Sequence, residues 1–374
     1  MTFRALILSA PVLLALTVSC RIEPVLYLRQ SVQAELSLET EINVEYMWQA
    51  TWKTEWAFNW DEVSLGSLGY VIPSSMTIHT FAKNSEGIRK NHTLRNFHGQ
   101  TATVPIYVGA YDILFHNNDS EALLFSQENE LSDVMCYTRT ISTGLKASSQ
   151  VLTSIQKMSG TKADSDFESE PVILMPDGLF SLYKEGFVVS DNPDDYEIVD
   201  GKYIVRVEGD LLPYTFIYLV QVHLLNNAGR VIGSEGGAAI TGMASGVNLV
   251  SGVSFNGTAS VPMEVYMDRE EDMLGARVLT FGIPGVNPYD EQSLAANAES
   301  NHFLVMNITY ANGTWKNVRI DISDKVREIP LGGLIDLELD VNDFPPEGGT
   351  TGGGGFSALI GDWEEEEVEI TIIN

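Results

Sequence analysis

Two short turn sequences, Asp200-Gly201 and Asn312-Gly313, constrain the fold of this chain most strongly. The first separates DYEIV from KYIVRVE, and the second, with Thr314, separates NHFLVMNITY from WKNVRIDI. Asp-Gly and Asn-Gly tolerate the positive φ that tight hairpin turns require, and runs rich in Val, Ile and Tyr favour strands. The runs TATVPIYVGAYDILF and YTFIYLVQVHLL are bounded by Gly, Asn and Pro in the same way. We therefore predict an all-β chain of antiparallel sheets.

Length and turn spacing indicate two domains. Turns recur about every ten to fifteen residues without alternating long helices, a pattern typical of antiparallel sandwiches and not of a doubly wound sheet. A chain of 374 residues suggests two domains, each large enough to bury its own core. We predict a signal peptide at 1–19 and sandwich domains at 20–198 and 199–374. Two segments interrupt the strand pattern. Residues 131–169 are predicted to form a long connection, and EGGAAITGMASGV (235–247), which is rich in small residues, is predicted to contain one helical turn.

The first twenty residues have the order of a signal sequence. Arg4 precedes an apolar run at 5–18, about fourteen residues long, which is shorter than the ~20 residues that a membrane-spanning helix needs. Thr-Val-Ser at 17–19 then leads directly into Cys20, the order of bacterial lipoprotein signals. A plain secretory signal with an incidental cysteine is the alternative. We predict that Cys20 is acylated and anchors the protein to a bilayer without crossing it.

The cysteine count, the net charge and the lack of catalytic motifs exclude several classes of function. Cys136 is the only other cysteine, so no disulfide framework is available, and its context LSDVMCYTRT predicts a small buried hydrophobe and not a nucleophile. The 51 acidic and 22 basic residues give a formal charge of −29, which repels nucleic acid and excludes DNA and RNA as partners. The six histidines, at 79, 92, 98, 116, 223 and 302, lack zinc-site spacing, and no nucleophile elbow or phosphate loop is present. We therefore predict no enzymatic activity, no metal and no cofactor.

An aromatic stripe occupies residues 42–60. Apolar and largely aromatic residues fill the even positions and mostly polar residues fill the odd ones, which is a period of two over about nineteen residues. Two interpretations are open, because indoles can stack against sugar rings or can pack in a core or between domains. The candidate ligand or partner platform consists of Trp48, Trp52, Trp56 and Trp60.

The C-terminal region combines a glycine tether with a strand pattern. Glycine dominates 348–355, which predicts a flexible tether, and Val368, Ile370 and Ile372 then alternate with other residues as in a strand. This strand either closes the sheet of its own domain or is donated to another subunit. We favour closure, since an unpaired apolar edge strand promotes aggregation.

Several motifs together resemble a known family. They follow Cys20 in the order WQATWKTEW, SSMTIHTFAKNSEG, VGAYDILFHNND, AAITGMASGVNL, LTFGIPG and GDWEEEEVEI. In this order the chain resembles Bacteroidales surface lipoproteins allied to the fimbrillin superfamily, and ITGMASGV resembles a segment shared with fimbrial anchor proteins. The resemblance implies two tandem transthyretin-like sandwiches of Greek-key type, outer-membrane attachment through Cys20 and no catalytic residues.

The same resemblance implies a structural role in adhesion at the cell surface. The chain would be a fimbrial anchor, tip or accessory subunit, with other fimbrillin-like subunits as partners. Shaft proteins of this superfamily have a processed arginine before a removable N-terminal strand, and neither Arg21 nor Arg29 has such a context, which favours an anchor or tip. The alternative is a carbohydrate-binding surface lipoprotein of a glycan-uptake system that binds glycans on the aromatic platform.

Overall fold

The computed structural model describes residues 32–39, 55–126, 130–141, 170–234, 237–296, 300–344 and 368–370. Its strands are β1 (Val32–Glu39), β2 (Ser75–Lys83), β3 (Arg89–His98), β4 (Thr101–Ile106), β5 (Gly109–Asn117), β6 (Leu123–Ser126), β7 (Met135–Thr138), β8 (Phe180–Val189), β9 (Glu197–Val199), β10 (Lys202–Asp210), β11 (Leu212–Pro213), β12 (Phe216–Leu225), β13 (Val231–Gly233), β14 (Ala238–Ala244), β15 (Gly246–Asn248), β16 (Thr258–Met263), β17 (Val265–Asp268), β18 (Met273–Thr280), β19 (Phe303–Tyr310), β20 (Trp315–Asp321), β21 (Gly333–Asp340) and β22 (Val368–Ile370). The α-helices of the described ranges are α1 (Glu62–Leu65), α2 (Glu291–Ala296) and α3 (Ser323–Glu328). The predicted all-β fold is confirmed.

The first sandwich consists of two sheets, with strand orders β4-β1-β10-β9 and β11-β8-β5-β2-β3. Side chains from both sheets share one core, in which Met76 and Phe115 of one sheet meet Val104 and Val207 of the other. The central strand β5 is buried from Tyr111 to its end, because its second face is covered as well. A strand covered on both faces needs apolar residues at nearly every position, as the sequence YDILF provides.

The second sandwich pairs a sheet of order β17-β18-β12-β21 with one of order β16-β14-β19-β20-β22, in which β13 also pairs with β19. Its core contains Tyr218 and Val220 of β12 and Leu304 and Met306 of β19. The alternate residues of β12, including Ile217, are buried against a different set of side chains on the outer face of the sheet. The near-continuous apolar run of β12 therefore serves two faces.

A small third sheet, of order β15-β7-β6, joins segments from both halves of the chain. Here β7 pairs with β15 in antiparallel register, with Cys136 opposite Val247. Cys136 is fully buried, and burial raises the pKa of its thiol, as expected of a small core residue without a nucleophilic role. Part of the predicted connection at 131–169 is therefore a strand; residues 142–169 lie outside the described ranges.

Both predicted hairpins are confirmed. Asp200 and Gly201 have φ of 50° and 73° and join β9 to β10. Gly313 has φ of 81° in the turn between β19 and β20, where the Asn312 side chain accepts a hydrogen bond from Thr314 N at 2.9 Å. Positive φ is accessible to glycine at low steric cost, which is why these dipeptides located the turns.

Two features of the strand arrangement go beyond what the sequence pattern predicts. β9 and β10, which lie on either side of the predicted boundary at residue 198, pair with each other in the first sandwich, and the strands of the second sandwich begin at β12. The sheets are also not purely antiparallel, because β1 pairs with β10, β12 with β21 and β20 with β22 in parallel. Periodicity shows which side chains share a face, but it carries no information about the direction of the neighbouring strand.

The helical turn expected in 235–247 is wrong, because this segment contains the buried strand β14. Its small residues reflect close packing between backbones. Gly242 has φ of +75°, and a Cβ at this position would lie 2.1 Å from the carbonyl oxygen of Asn301. Glycine is required here by both conformation and space.

Candidate functional site

A segment that we call the strap, residues 55–73, lies across the outer face of the sheet formed by β12 and β18. Phe58 is 6% exposed and covers Gly275, where a Cβ would fall 2.4 Å from its ring. Leu68 is buried with Leu219 and Leu279 on the same outer face. The strap therefore attaches the chain just before β2 to the second sandwich, although β2 itself belongs to the first.

Polar side chains of the second sandwich hold the strap backbone. Gln221 is buried; its Oε1 accepts from Ala57 N at 2.9 Å, and its Nε2 donates to Glu55 O at 3.1 Å. Arg277 donates from Nε to Leu68 O at 3.0 Å and from Nη2 to the next carbonyl at 3.1 Å. These backbone groups of the strap thus have hydrogen-bond partners although the strap pairs with no strand.

The structure places two of the four platform tryptophans in this strap. Trp56 and Trp60 are partly buried against the outer face of the second sandwich, with ring centroids 6.3 Å apart. Trp60 also meets Tyr266 edge to face at 5.5 Å. These two indoles pack on the second sandwich, and their role in a ligand or partner platform stays a prediction. Trp48 and Trp52 lie outside the described residues.

A cleft of about 610 Å³ opens beside the strap, between the two sandwiches. Strap residues, the loop after β5, the segment before β8 and the outer face of β18 line it; they include Leu65, Val71, Asp119, Met175, Asp177 and Arg277. Its volume lies within the range of about 300–1,000 Å³ that is usual for ligand sites. Sequence reasoning did not find this cleft, since its walls come from segments far apart in the chain.

Three histidines form a hydrogen-bonded row across β3, β2 and β5, which the sequence did not predict. His79 Nδ1 lies 3.0 Å from His92 Nε2, and His79 Nε2 lies 2.9 Å from His116 Nε2. His116 Nδ1 lies 2.8 Å from Asn117 O, and a carbonyl can only accept, so this nitrogen carries a proton. In the neutral row, His116 Nε2 then accepts from His79, and His79 Nδ1 accepts from His92.

Burial disfavours the charged forms of two of these histidines, His79 and His116. Desolvation, reinforced by repulsion from His116 and His92, lowers the pKa of His79 to about 3. Desolvation lowers the pKa of His116 to about 4, against the effect of its bond to the Asn117 carbonyl. The two ring nitrogens of His79 face different partners, so the three imidazoles are not directed toward one common site. Within the described ranges, no group of three or more His, Cys, Asp or Glu residues could hold a metal ion.

The described part of the C-terminal strand lies at a sheet edge. β22 pairs in parallel with β20, with Val368 opposite Val318 and Ile370 opposite Ile320. Of the other residues singled out in the sequence, Ile372 and Cys20 lie outside the described ranges. In the part of the chain that the structure describes, no helix has the length and apolar character needed to cross a membrane.

Residues 44–264 match the model of a family described as "Domain of unknown function (DUF5119)". The chain belongs to this family. No protein of curated function matches the sequence significantly.

Several solved structures are similar to this DUF5119 protein. A candidate adhesin from Bacteroides ovatus is 12% identical with a TM-score of 0.51, and the match covers 85% of this chain and 95% of that one. The fimbrial anchor protein Mfa2 from Porphyromonas gingivalis is 12% identical over 82% of this chain and 90% of its own, with a TM-score of 0.42. A candidate cell adhesion protein from Bacteroides eggerthii is 9% identical over 83% and 88%, with a TM-score of 0.39.

At these identities the likeness concerns the fold alone. The match to the Bacteroides ovatus protein extends over both sandwiches, since it covers 85% of this chain. The relationship that the sequence motifs indicated is thereby confirmed at the level of the β-sandwich fold. Function does not follow from fold and has to be argued separately.

Proposed function

We propose that this protein is a lipid-anchored adhesion protein of the cell surface, and that it acts as a fimbrial anchor, tip or accessory subunit. The observation that carries the proposal is the fold shared with a Bacteroides ovatus candidate adhesin over 85% of the chain. The signal-like N-terminus with Cys20 and the motif order support the anchor and the fimbrial role.

Anchoring is tested with Cys20→Ala. Cells expressing the wild type or the variant are fractionated, treated with external protease and used in pull-downs for fimbrial subunits. The wild type should be membrane-bound, protease-accessible and associated with fimbrial subunits, while Cys20→Ala should be soluble because no thiol remains at that position to carry acyl chains. Cys136→Ala is the matched control, since it removes the other cysteine, which is buried, and should leave the protein in the membrane.

A wild type found in the soluble fraction would refute the lipid anchor. A wild type that is membrane-bound and exposed but associates with no fimbrial subunit would refute the fimbrial role. In that case the surface lipoprotein of a glycan-uptake system becomes the better description.

We also propose that β22 closes the sheet of the second sandwich, and that its tether makes it exchangeable between subunits. Its parallel pairing with β20 over 368–370 supports closure. A chain ending after Gly355 should expose the edge of β20 and self-associate, because unpaired strand edges recruit other strands. A chain ending after Ile370 retains the paired residues and serves as the control. Unchanged folding and assembly of the shorter chain would contradict this role.

A further inference from the structure

The cleft between the sandwiches combines donors and acceptors from different parts of the fold. The second sandwich contributes a guanidinium without a carboxylate partner. Arg277 donates to two strap carbonyls, and no carboxylate of the described residues forms an ion pair with it. Burial lowers the pKa of Arg277, and only Tyr70 acts in the opposite direction. A guanidinium has five N–H donors and these bonds use two, so the rest are available to a bound acceptor.

The first sandwich and the segment before β8 contribute carboxylates that the protein holds in place. Asp119 Oδ2 accepts from Ser74 N at 2.6 Å, and its Oδ1 accepts from Asn117 Nδ2 at 3.0 Å. Burial opposes ionisation of Asp119, but the bonds from Asn117 and Ser74 outweigh it and keep the pKa of this carboxyl below its usual range. Asp177 Oδ2 accepts from Ser120 Oγ at 2.6 Å, while its Oδ1 has no partner among the described residues. Hydrogen bonds within the protein therefore hold the carboxylates of Asp119 and Asp177 in position to accept hydrogen bonds from a ligand.

Part of the cleft lining is apolar. Val71 is 75% exposed and Met175 is 38% exposed, and both line the cleft. Leu65 and Leu279 extend this apolar lining. Exposed aliphatic side chains beside fixed polar groups are typical of sites that bind a ligand with both apolar and polar faces.

We propose that this cleft binds a neutral saccharide. The carboxylates of Asp119, Glu121 and Asp177 outnumber the one guanidinium of Arg277 in the lining, so the cleft repels polyanions. A sugar hydroxyl both donates and accepts, so one uncharged ligand can satisfy the carboxylates and the guanidinium together. The C–H face of a sugar ring can pack against the exposed side chains of Val71 and Met175. This inference rests on the proposed adhesion function, because it names the class of ligand that the adhesin would take.

Calorimetric titration of the full chain in detergent tests the inference. Malto-, manno- and xylo-oligosaccharides are the neutral probes, and polygalacturonate is the charged one. At least one neutral probe should bind, and polygalacturonate should not. Arg277→Met should weaken binding about tenfold or more, because it removes charge-assisted hydrogen bonds. Met175→Trp should weaken saccharide binding similarly, because the indole would fill part of the cleft while the Arg277 hydrogen bonds to the strap stay in place. Asp343→Asn is the matched control, since Asp343 is an exposed acid after β21.

Three results would overturn the saccharide site: no neutral probe binds, a charged probe binds instead, or binding survives both cleft variants. Surface exposure and co-purification of fimbrial subunits are scored in the same preparations. Saccharide binding without surface exposure would refute the proposed function, whereas exposure and fimbrial association without saccharide binding would refute only the assignment of the cleft.

Discussion

The buried residues His79 and His116 should make the stability of this protein fall between pH 8 and pH 5. His79 and His116 are buried, with folded-state pKa values of about 3 and about 4, below the usual 6.5. At pH 8 both states of the chain are neutral at these sites and nothing is lost. As the pH falls below 6.5, the unfolded chain binds protons that the folded chain does not, so the free energy of unfolding decreases.

The size of this decrease follows from the unfolded-state pKa. At pH 5, which is about 1.5 units below its pKa, a histidine in the unfolded chain is protonated, while the same histidine in the folded chain is still neutral. This difference lowers the free energy of unfolding by about 2 kcal/mol per histidine, at 1.36 kcal/mol per unit. Because both folded-state values lie well below 5, this figure changes little if either value moves by a few tenths. The pair therefore costs about 4 kcal/mol of stability between pH 8 and pH 5.

The variant His79→Gln isolates one of these contributions. A glutamine amide can accept from His92 and donate to His116, so the donor and acceptor order of the row is kept while one titrating group is removed. Urea unfolding at intervals from pH 8 to pH 5 should show a pH dependence smaller than that of the wild type by about 2 kcal/mol. Carboxylates that titrate in the same range contribute equally to both proteins and cancel in this difference.

Phe81→Leu is the matched control, because Phe81 stacks on both His79 and His92 but does not titrate. It should lower the free energy of unfolding by a similar amount at every pH. Long-range nitrogen–proton NMR of the imidazoles should also place protons on His116 Nδ1, His79 Nε2 and His92 Nε2. An unchanged pH dependence in His79→Gln, or the opposite tautomer of His116, would refute this reasoning.

Three further predictions concern packing. Gly275→Ala should displace the Phe58 ring and destabilise the protein by about 1–3 kcal/mol, with new proteolysis in the strap as the readout. Gly242→Ala should cost more than Gly313→Ala in urea unfolding, because both glycines have positive φ but only Gly242 faces a carbonyl oxygen at short range; equal costs would contradict the proposed clash. Cys136 should resist thiol reagents in the folded protein and react on unfolding, and rapid reaction under native conditions would contradict its burial.

The local structure follows from patterns among neighbouring residues in the sequence. Strand periodicity and the Asp200-Gly201 and Asn312-Gly313 turns predicted an all-β chain with two of its hairpins, because φ preference and side-chain alternation are properties of neighbouring residues. The apolar context of Cys136 predicted its burial for the same reason. The order of motifs further indicated the fold family.

Features that depend on residues far apart in the chain do not follow from the sequence pattern. β1 pairs in parallel with β10, and these two strands lie more than 160 positions apart. The packing of Trp56 and Trp60 required the outer face of β12 and β18. The row of His79, His92 and His116 and the cleft at Arg277 are likewise set by strand register, because a side chain acquires its partners and its pKa only when the sheets have formed.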